Sequence, residues 1–204
     1  MVLKLSCMYP SPRQMQRIIS AFEDGQLVCY PTDTVYGIGC GIRHPGPIEL
    51  IYRLKGISRK SKPLSLMFSS IQQISEYALV PDHIFSVLRR YLPGPFTFIL
   101  EARKSLPRAL FGEKRKTIGV RIPDNNICLE MINELGTPII TTSLTDESGA
   151  IINDPYLIEL SYQGHLGLVI DGGETPGLPS TVIDLTTDEP TIIREGAGFG
   201  EWYV

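Results

Sequence analysis

The sequence predicts an α/β fold of the α+β type, folded as a single domain over residues 1–204. It is expected to be a twisted mixed parallel and antiparallel sheet with flanking helices. Three observations lead there. Short apolar strand-like runs interleave with amphipathic helical segments, which calls for helices packed on a sheet. The alternation is not strict: strand-like runs follow one another directly at 96–122 and 181–194, so part of the sheet should be antiparallel. And 204 residues suffice for one well-packed core, while 43% hydrophobic and 20% charged residues exclude a largely disordered chain.

The elements follow in order. Ser11-Pro12-Arg13-Gln14 is a helix start: Ser11 caps, Pro12 suits the first helical position and Gln14 closes a capping box. Met15, Ile18, Ile19 and Phe22 then form one apolar stripe that ends at Gly25. Leu27 to Tyr30 reads as a buried strand stopped by Pro31, and Pro47 to Leu54 as a second helix. Leu64 to Phe68 is a strand. Ile71 to Tyr77 and Asp82 to Tyr91 are helices, the latter with Ile84, Phe85, Val87, Leu88 and Tyr91 on its apolar side. Phe96 to Glu101 and Thr117 to Ile122 are strands. Asn126 to Leu135 is a helix ended by Gly136. Pro138 to Ser143, Leu168 to Asp171, Thr181 to Leu185 and Thr191 to Arg194 complete the strands. No repeat and no linker composition interrupts the chain.

Composition excludes several classes. With 19 Gly and 16 Pro the chain is loop-rich without being of low complexity. No uncharged run approaches the roughly 18 residues of a membrane helix, and the first residues lack the apolar stretch of a signal peptide. Cys7, Cys29, Cys40 and Cys128 are scattered and form no C-x-x-C pair, so reduced thiols in a cytoplasmic setting are expected. His44, His83 and His165 show no metal-ligand spacing, and no resident metal is expected.

The net charge of −3 hides an asymmetry. From Arg53 to Arg121 the chain carries 14 Lys/Arg against four Asp/Glu, a net +10; the remainder carries five against 18, a net −13. Such a basic stretch is either a concentrated anion site or two solvated loops.

Several segments place chemistry at strand ends. Pro31-Thr32-Asp33-Thr34-Val35-Tyr36-Gly37 follows a strand and offers hydroxyls, a phenol and a carboxylate, or else an ordinary turn capped by Asp33. Lys55-Gly56-Ile57-Ser58-Arg59-Lys60-Ser61-Lys62-Pro63 puts flexible cations beside Ser and backbone donors, which suits a polyphosphate, but lacks P-loop spacing. Period 2 sets Thr117, Gly119 and Arg121 on one strand face. An arginine on an apolar strand must meet either an acid of the protein or an anionic ligand. Thr141, Ser143 and Thr145 share a face in the same way, and Ser180-Thr181 and Arg194 add hydroxyls and a cation. Hydroxyls and cations without a nucleophile–base pair suit catalysis by positioning and charge stabilisation.

Taken together and in order, Pro31 to Gly37, the Lys55 segment ending in Lys62-Pro63-Leu64, Pro93-Gly94-Pro95-Phe96-Thr97, Thr117 to Pro123, Ser180-Thr181-Val182-Ile183-Asp184 and Arg194-Glu195-Gly196 resemble the YrdC/YciO family. The resemblance covers nearly the whole chain. It implies a deep, positively charged cavity and an activity that joins L-threonine, bicarbonate and ATP into threonylcarbamoyl-adenylate, with release of pyrophosphate, for modification of adenosine 37 in tRNA. ATP is then a substrate, and Mg²⁺ is expected with it. It places Thr32 and Thr34 near the threonine and Arg121 on its carboxylate, with Thr141, Ser180 and Thr181 nearby. It places Lys55 on the ATP phosphates, Thr117 and Ser143 on the ATP side and Arg194 on the nucleotide. Lys55 and Ser143 are the catalytic candidates. Family members have also been regarded as binders of double-stranded RNA, so a non-catalytic RNA or tRNA-binding module is the alternative.

Two motifs depart from the synthases. Lys-x-Arg is here Lys55-Gly56-Ile57, with Arg59 a possible substitute, and Ser-x-Asn is here Ser143-Leu144-Thr145. Met67 stands where the synthases often carry His. Ile57, Thr142-Ser143-Leu144 and Lys116-Thr117-Ile118-Gly119 are similar to the YciO branch, for which reduced or altered activity is the expectation.

Overall fold

A computed structural model describes residues 1–5, 9–57, 64–104, 116–145 and 150–203. Its strands are β1 (Val2–Lys4), β2 (Val28–Tyr30), β3 (Gly37–Gly41), β4 (Ser65–Met67), β5 (Phe96–Glu101), β6 (Thr117–Arg121), β7 (Ile139–Ser143), β8 (Leu168–Asp171), β9 (Thr181–Asp184) and β10 (Thr191–Arg194). They form one ten-stranded sheet in the order β1-β8-β2-β3-β7-β4-β6-β5-β9-β10. The sheet is mixed, as expected: β1–β8, β8–β2, β4–β6 and β5–β9 are parallel and the other neighbours antiparallel.

The helices are α1 (Pro12–Glu23), α2 (Pro45–Leu54), α3 (Ile71–Tyr77), α4 (Asp82–Tyr91), α5 (Asn126–Leu135) and α6 (Pro155–Ser161). The capping box of α1 is present in full, with Gln14 N donating to Ser11 Oγ at 3.4 Å and Ser11 N donating to Gln14 Oε1 at 2.9 Å. Gly136 ends α5 in the left-handed conformation, where a side chain would be strained. On α4 the buried face is Ile84, Leu88 and Tyr91; Phe85, expected on that face, is 43% exposed because it sits a quarter-turn beyond the stripe. Helix α2 starts two residues before Pro47. Strands β1 and β3 and helix α6 were not anticipated.

Side chains alternate between the two faces of the sheet. One face carries Cys29, Ile38, Leu66, Phe98, Val120, Ile140 and Ile183 and packs with Ile48, Ile51, Ile74, Ile84 and Leu88 of α2, α3 and α4. The other carries Val28, Tyr30, Met67, Ile139 and Ile170, covered by α1 and α5 through Ile18, Phe22, Met131 and Ile132. The two helices cover only part of this second face. Where they stop, the same face of β7, β4, β6, β5 and β9 forms the floor of a cavity. Among the described residues no helix is long and apolar enough to cross a membrane.

Candidate functional site

The cavity measures ≈ 860 Å³, within the range of about 300–1,000 Å³ common for small-molecule sites. Its floor is a cross-strand row set by register: Thr141 opposite Ser65, Ser65 opposite Gly119, Gly119 opposite Ile99, and Ile99 opposite Asp184. A Cβ on Gly119 would stand 2.7 Å from Ser65 Oγ, so the row stays low only with glycine there. The period-2 reading of β6 holds, since Thr117, Gly119 and Arg121 all face the cavity, as do Thr141 and Ser143 of β7 and Thr145 beyond it.

At one end the Pro31–Gly37 turn meets β6. Arg121 Nη2 donates to Thr34 Oγ1 at 2.7 Å and Thr32 Oγ1 at 3.3 Å, and forms an ion pair with Asp33 Oδ1. The acid that Arg121 requires is therefore Asp33. Thr32 Oγ1 holds the turn: it accepts from Thr34 N at 3.2 Å and Val35 N at 3.3 Å and donates to Val35 O at 2.7 Å. Beside them Thr141 Oγ1 accepts from Tyr30 Oη at 2.8 Å.

Lys55 follows the last turn of α2, and its Nζ donates to Thr145 Oγ1 at 2.7 Å. Ile57 lines the cavity next to it. Two of the three positions where the sequence departs from the synthases, Ile57 and Thr145, therefore face the cavity beside Lys55; the third, Met67, is buried in the core under α1 and α5.

At the other end Arg194 of β10 donates through Nε and Nη2 to Ser180 O at 3.1 and 2.8 Å, and through Nη2 to Ser180 Oγ at 3.3 Å. Ser180 Oγ in turn lies 2.9 Å from Thr97 Oγ1. Partial burial first, and then the charge of Arg121, lower the Arg194 pKa; the repulsion between these two cations is relieved by an anion in the cavity.

Of the residues singled out from the sequence, Thr32, Thr34, Lys55, Thr117, Arg121, Thr141, Ser143, Ser180 and Arg194 line this one cavity. Thr181 does not. Period 2 along β9 sends Ser180, Val182 and Asp184 to the cavity and Thr181 to the opposite side, where its hydroxyl donates to Ala197 O at 2.9 Å and accepts from Gly196 N at 3.1 Å. Arg59 lies outside the described residues, with Lys60, Lys62, Arg108, Lys114 and Arg115. Polar residues given no site role from sequence also line the site: Ser65, Thr97, Thr142 and Asp184. Ser65 could have been found from its alternation within the 64–68 strand. Asp184 is the one carboxylate among the described lining residues; its Oδ1 accepts from Thr186 N at 2.9 Å and Thr186 Oγ1 at 2.6 Å.

The family profile Sua5/YciO/YrdC, described as "Telomere recombination", matches residues 20–196. Protein YciO of Escherichia coli is 35% identical over 190 residues, covering 93% of this chain and 92% of that one. The crystal structure of Escherichia coli YciO superposes with a TM-score of 0.90 at 34% identity, over 97% of this chain and 96% of the other. The threonylcarbamoyl-AMP synthase of Pyrococcus abyssi is 32% identical over 183 residues, which span 88% of this chain but only 53% of the synthase. Pyrococcus abyssi Sua5 complexed with L-threonine superposes with a TM-score of 0.87 at 28% identity, over 96% of this chain and 57% of that structure. By matched sequence and by fold, this chain belongs to the Sua5/YciO/YrdC family.

Proposed function

We propose that the cavity binds L-threonine and ATP and that the protein is an ATP-dependent nucleotidyltransferase of the threonylcarbamoyl-AMP synthase type. Threonine and bicarbonate would give a carbamate with loss of water. The carbamate oxygen would attack the α-phosphorus of ATP, forming threonylcarbamoyl-adenylate and expelling pyrophosphate, and the product would supply tRNA modification. The observation that carries this reading is the gathering of Arg121, Lys55 and Arg194 with hydroxyls from six separate segments around one cavity. The match to synthases, and to a Sua5 structure holding L-threonine, supports it.

In this reading Arg121, Thr32, Thr34, Thr141 and Ser180 take the threonine; Thr181 acts from behind by fixing the Gly196 turn. Lys55, Ser143, Thr117 and Arg194 take the nucleotide, with Arg59 a further candidate. Ile57, Ile99, Val182 and Ile193 supply aliphatic walls. No group of three or more His, Cys, Asp or Glu that could hold a metal lies among the described residues. Mg²⁺ would therefore come with ATP, ligated by phosphates and water. Of the described cations from the +10 stretch, Lys55 and Arg121 line the cavity, while Arg53, Arg89, Arg90, Arg103, Lys104 and Lys116 are exposed.

The test is pyrophosphate release by the purified protein given ATP, bicarbonate and threonine. Release that depends on threonine is expected. No release, together with no nucleotide binding, would sink the reading.

A further inference from the structure

A second cavity, ≈ 410 Å³, lies between the end of β8, the loop that follows it and the start of α6, and shares no lining residue with the first. Among the described residues three carboxylates line it, from Asp154, Asp171 and Glu174, and no lysine, arginine or histidine does. Asp171 sets the problem. It is only 9% exposed. Its Oδ1 accepts from Gly173 N at 3.1 Å, while among the described residues Oδ2 meets no donor and neither oxygen meets a cation. Lys4 stands opposite it in the β1–β8 register, yet that lysine is exposed and the two form no ion pair. A buried carboxylate without a counter-charge is costly, so its position calls for a cation from outside the chain.

The neighbouring groups do not offset that charge. Tyr36 Oη gives its proton to Gly173 O at 2.8 Å. Burial, with the charges of Asp171 and Asp154 adding to it, raises the phenol's pKa, so Tyr36 stays neutral. Asn153 Nδ2 donates to Thr175 O at 2.9 Å, and Thr175 Oγ1 donates to Asn153 Oδ1. Asp154 Oδ1 accepts from Tyr156 N at 2.8 Å and Leu157 N at 3.1 Å. Its other oxygen, like Asp171 Oδ2 and the exposed Glu174, is left for a ligand.

Spacing selects the kind of cation. Because these residues form no group that could hold a metal, the carboxylates are spread over the walls and do not converge on one ion. The Pro155 and Tyr156 rings line the same space and offer apolar contact to methylene groups, with a π face for a cation. Separate ammonium groups on a methylene chain match both features, and the volume suits a small molecule. We propose that this second cavity binds an aliphatic polyamine, with Asp171 Oδ2 accepting from one ammonium and the carboxylates of Asp154 and Glu174 serving the others. The site goes beyond the proposed synthase activity and does not depend on it.

Calorimetric titration of the full chain with spermidine at physiological ionic strength tests it, with 1-aminobutane as the singly charged control. Spermidine should saturate a single site and bind at least about tenfold more tightly than 1-aminobutane. Asp171→Asn keeps the acceptor for Gly173 N and removes the buried charge. It should melt no lower than the wild type and bind spermidine about tenfold to a hundredfold more weakly, the range for a lost charge-assisted contact. Glu134→Gln, at an exposed position of α5, changes the net charge equally and should leave binding unchanged. If Asp171→Asn does not fold, Glu174→Gln decides, with an expected loss of about threefold for an exposed partner. No saturable spermidine binding by the wild type, an equal loss in Glu134→Gln, or a folded Asp171→Asn that binds as well as the wild type overturns the proposal. Saturable Mg²⁺ binding that Asp171→Asn abolishes and spermidine does not displace overturns it as well.

Discussion

Tyr30 and Thr141 meet across a strand to which neither belongs. Tyr30 is on β2 and Thr141 on β7, with β3 between them, and the phenol reaches over β3 to donate to Thr141 Oγ1 at 2.8 Å. It can do so because the face of β3 beneath it carries only glycines. A Cβ on Gly37 would stand 3.2 Å from the Tyr30 ring, and one on Gly39 would stand 2.5 Å from Tyr30 Oη. Because Thr141 accepts from Tyr30, its own hydroxyl proton is left to donate into the cavity. Tyr30→Phe should therefore cost about 1 kcal/mol of stability, the net worth of one buried hydrogen bond. It should also weaken threonine binding while leaving the ATP KM in place. Urea unfolding and a KM comparison for the two substrates check both parts.

Gly39→Ala tests the same crossing from the other side. The added methyl would also stand 2.7 Å from Ile139 Cγ2, between fixed strands that cannot retreat. A loss of about 3 kcal/mol is expected, at the upper end for overpacking. Combined with Tyr30→Phe, part of that loss should be recovered, because one of the clashing atoms is gone. A strictly additive double mutant would show that the phenol and the glycine are unrelated.

Arg121→Met should be far more damaging than an exposed arginine change. It strands the Asp33 carboxylate, 9% exposed, and removes the donor shared by Thr32 and Thr34. Breaking one side of a buried pair costs about 3–5 kcal/mol. Arg121→Met with Asp33→Asn should return much of it, since the stranded charge is then absent. Unfolding free energies of the four proteins form a cycle, and a coupling near zero would mean that the pair is not a unit.

The protein should lose stability at alkaline pH. Burial pushes the Cys40 thiol from its ordinary 9.0 up to about 12, and pushes Cys29 and Cys128 higher still. Above pH 9 the unfolded chain has given up protons that the native chain keeps. Stability is thus fully present below about 9 and falls as pH rises toward the folded values, by about 1.4 kcal/mol per pH unit for each thiol. Tyr30, also raised by burial, adds to the fall above 10. Urea midpoints between pH 7.5 and 10.5 measure the slope. A thiol reagent should leave Cys29, Cys40 and Cys128 unlabelled until the chain unfolds; rapid labelling of the native protein would contradict the burial.

Which parts of the molecule are legible in sequence follows from how local their causes are. Ser11, Gln14 and Gly136 act within one turn, and the boundaries of α1 and α5 follow from them. Strand β3 gives no strand signal because Gly37, Gly39 and Gly41 have low strand propensity; the reason for Gly37 and Gly39 lies in Tyr30, on another strand. Helix α6 is announced by Asp154-Pro155 but is only seven residues long, and β1 is a three-residue edge, so neither builds a periodic pattern. In the site, alternation alone puts Thr117, Gly119 and Arg121 on one face. That Arg121 should meet Asp33, 88 residues away, depends on the strand order β3-β7-β4-β6, which no local signal carries. Thr181 belongs to a recognisable motif, yet the parity of β9 turns it from the cavity.

Ile57 is where the site can be made stronger. It lines the cavity two residues after Lys55, at the position of the arginine in the synthase motif. Ile57→Arg would place a second cation where ATP phosphates are proposed to lie. Such a charge-assisted contact is worth about 1.5–3 kcal/mol, or roughly tenfold to a hundredfold in affinity. Against it stands the apolar contact that half-buried Ile57 makes with the core, about 1 kcal/mol, and that cost falls on stability rather than on nucleotide binding. The ATP KM should thus drop at least about tenfold while the melting temperature falls by a few degrees. Ile57→Leu, which keeps the aliphatic wall, should change neither. Steady-state pyrophosphate release at varied ATP separates the outcomes: an unchanged KM in Ile57→Arg would mean that the phosphates do not lie beside Lys55, and that this end of the cavity serves another part of the substrate.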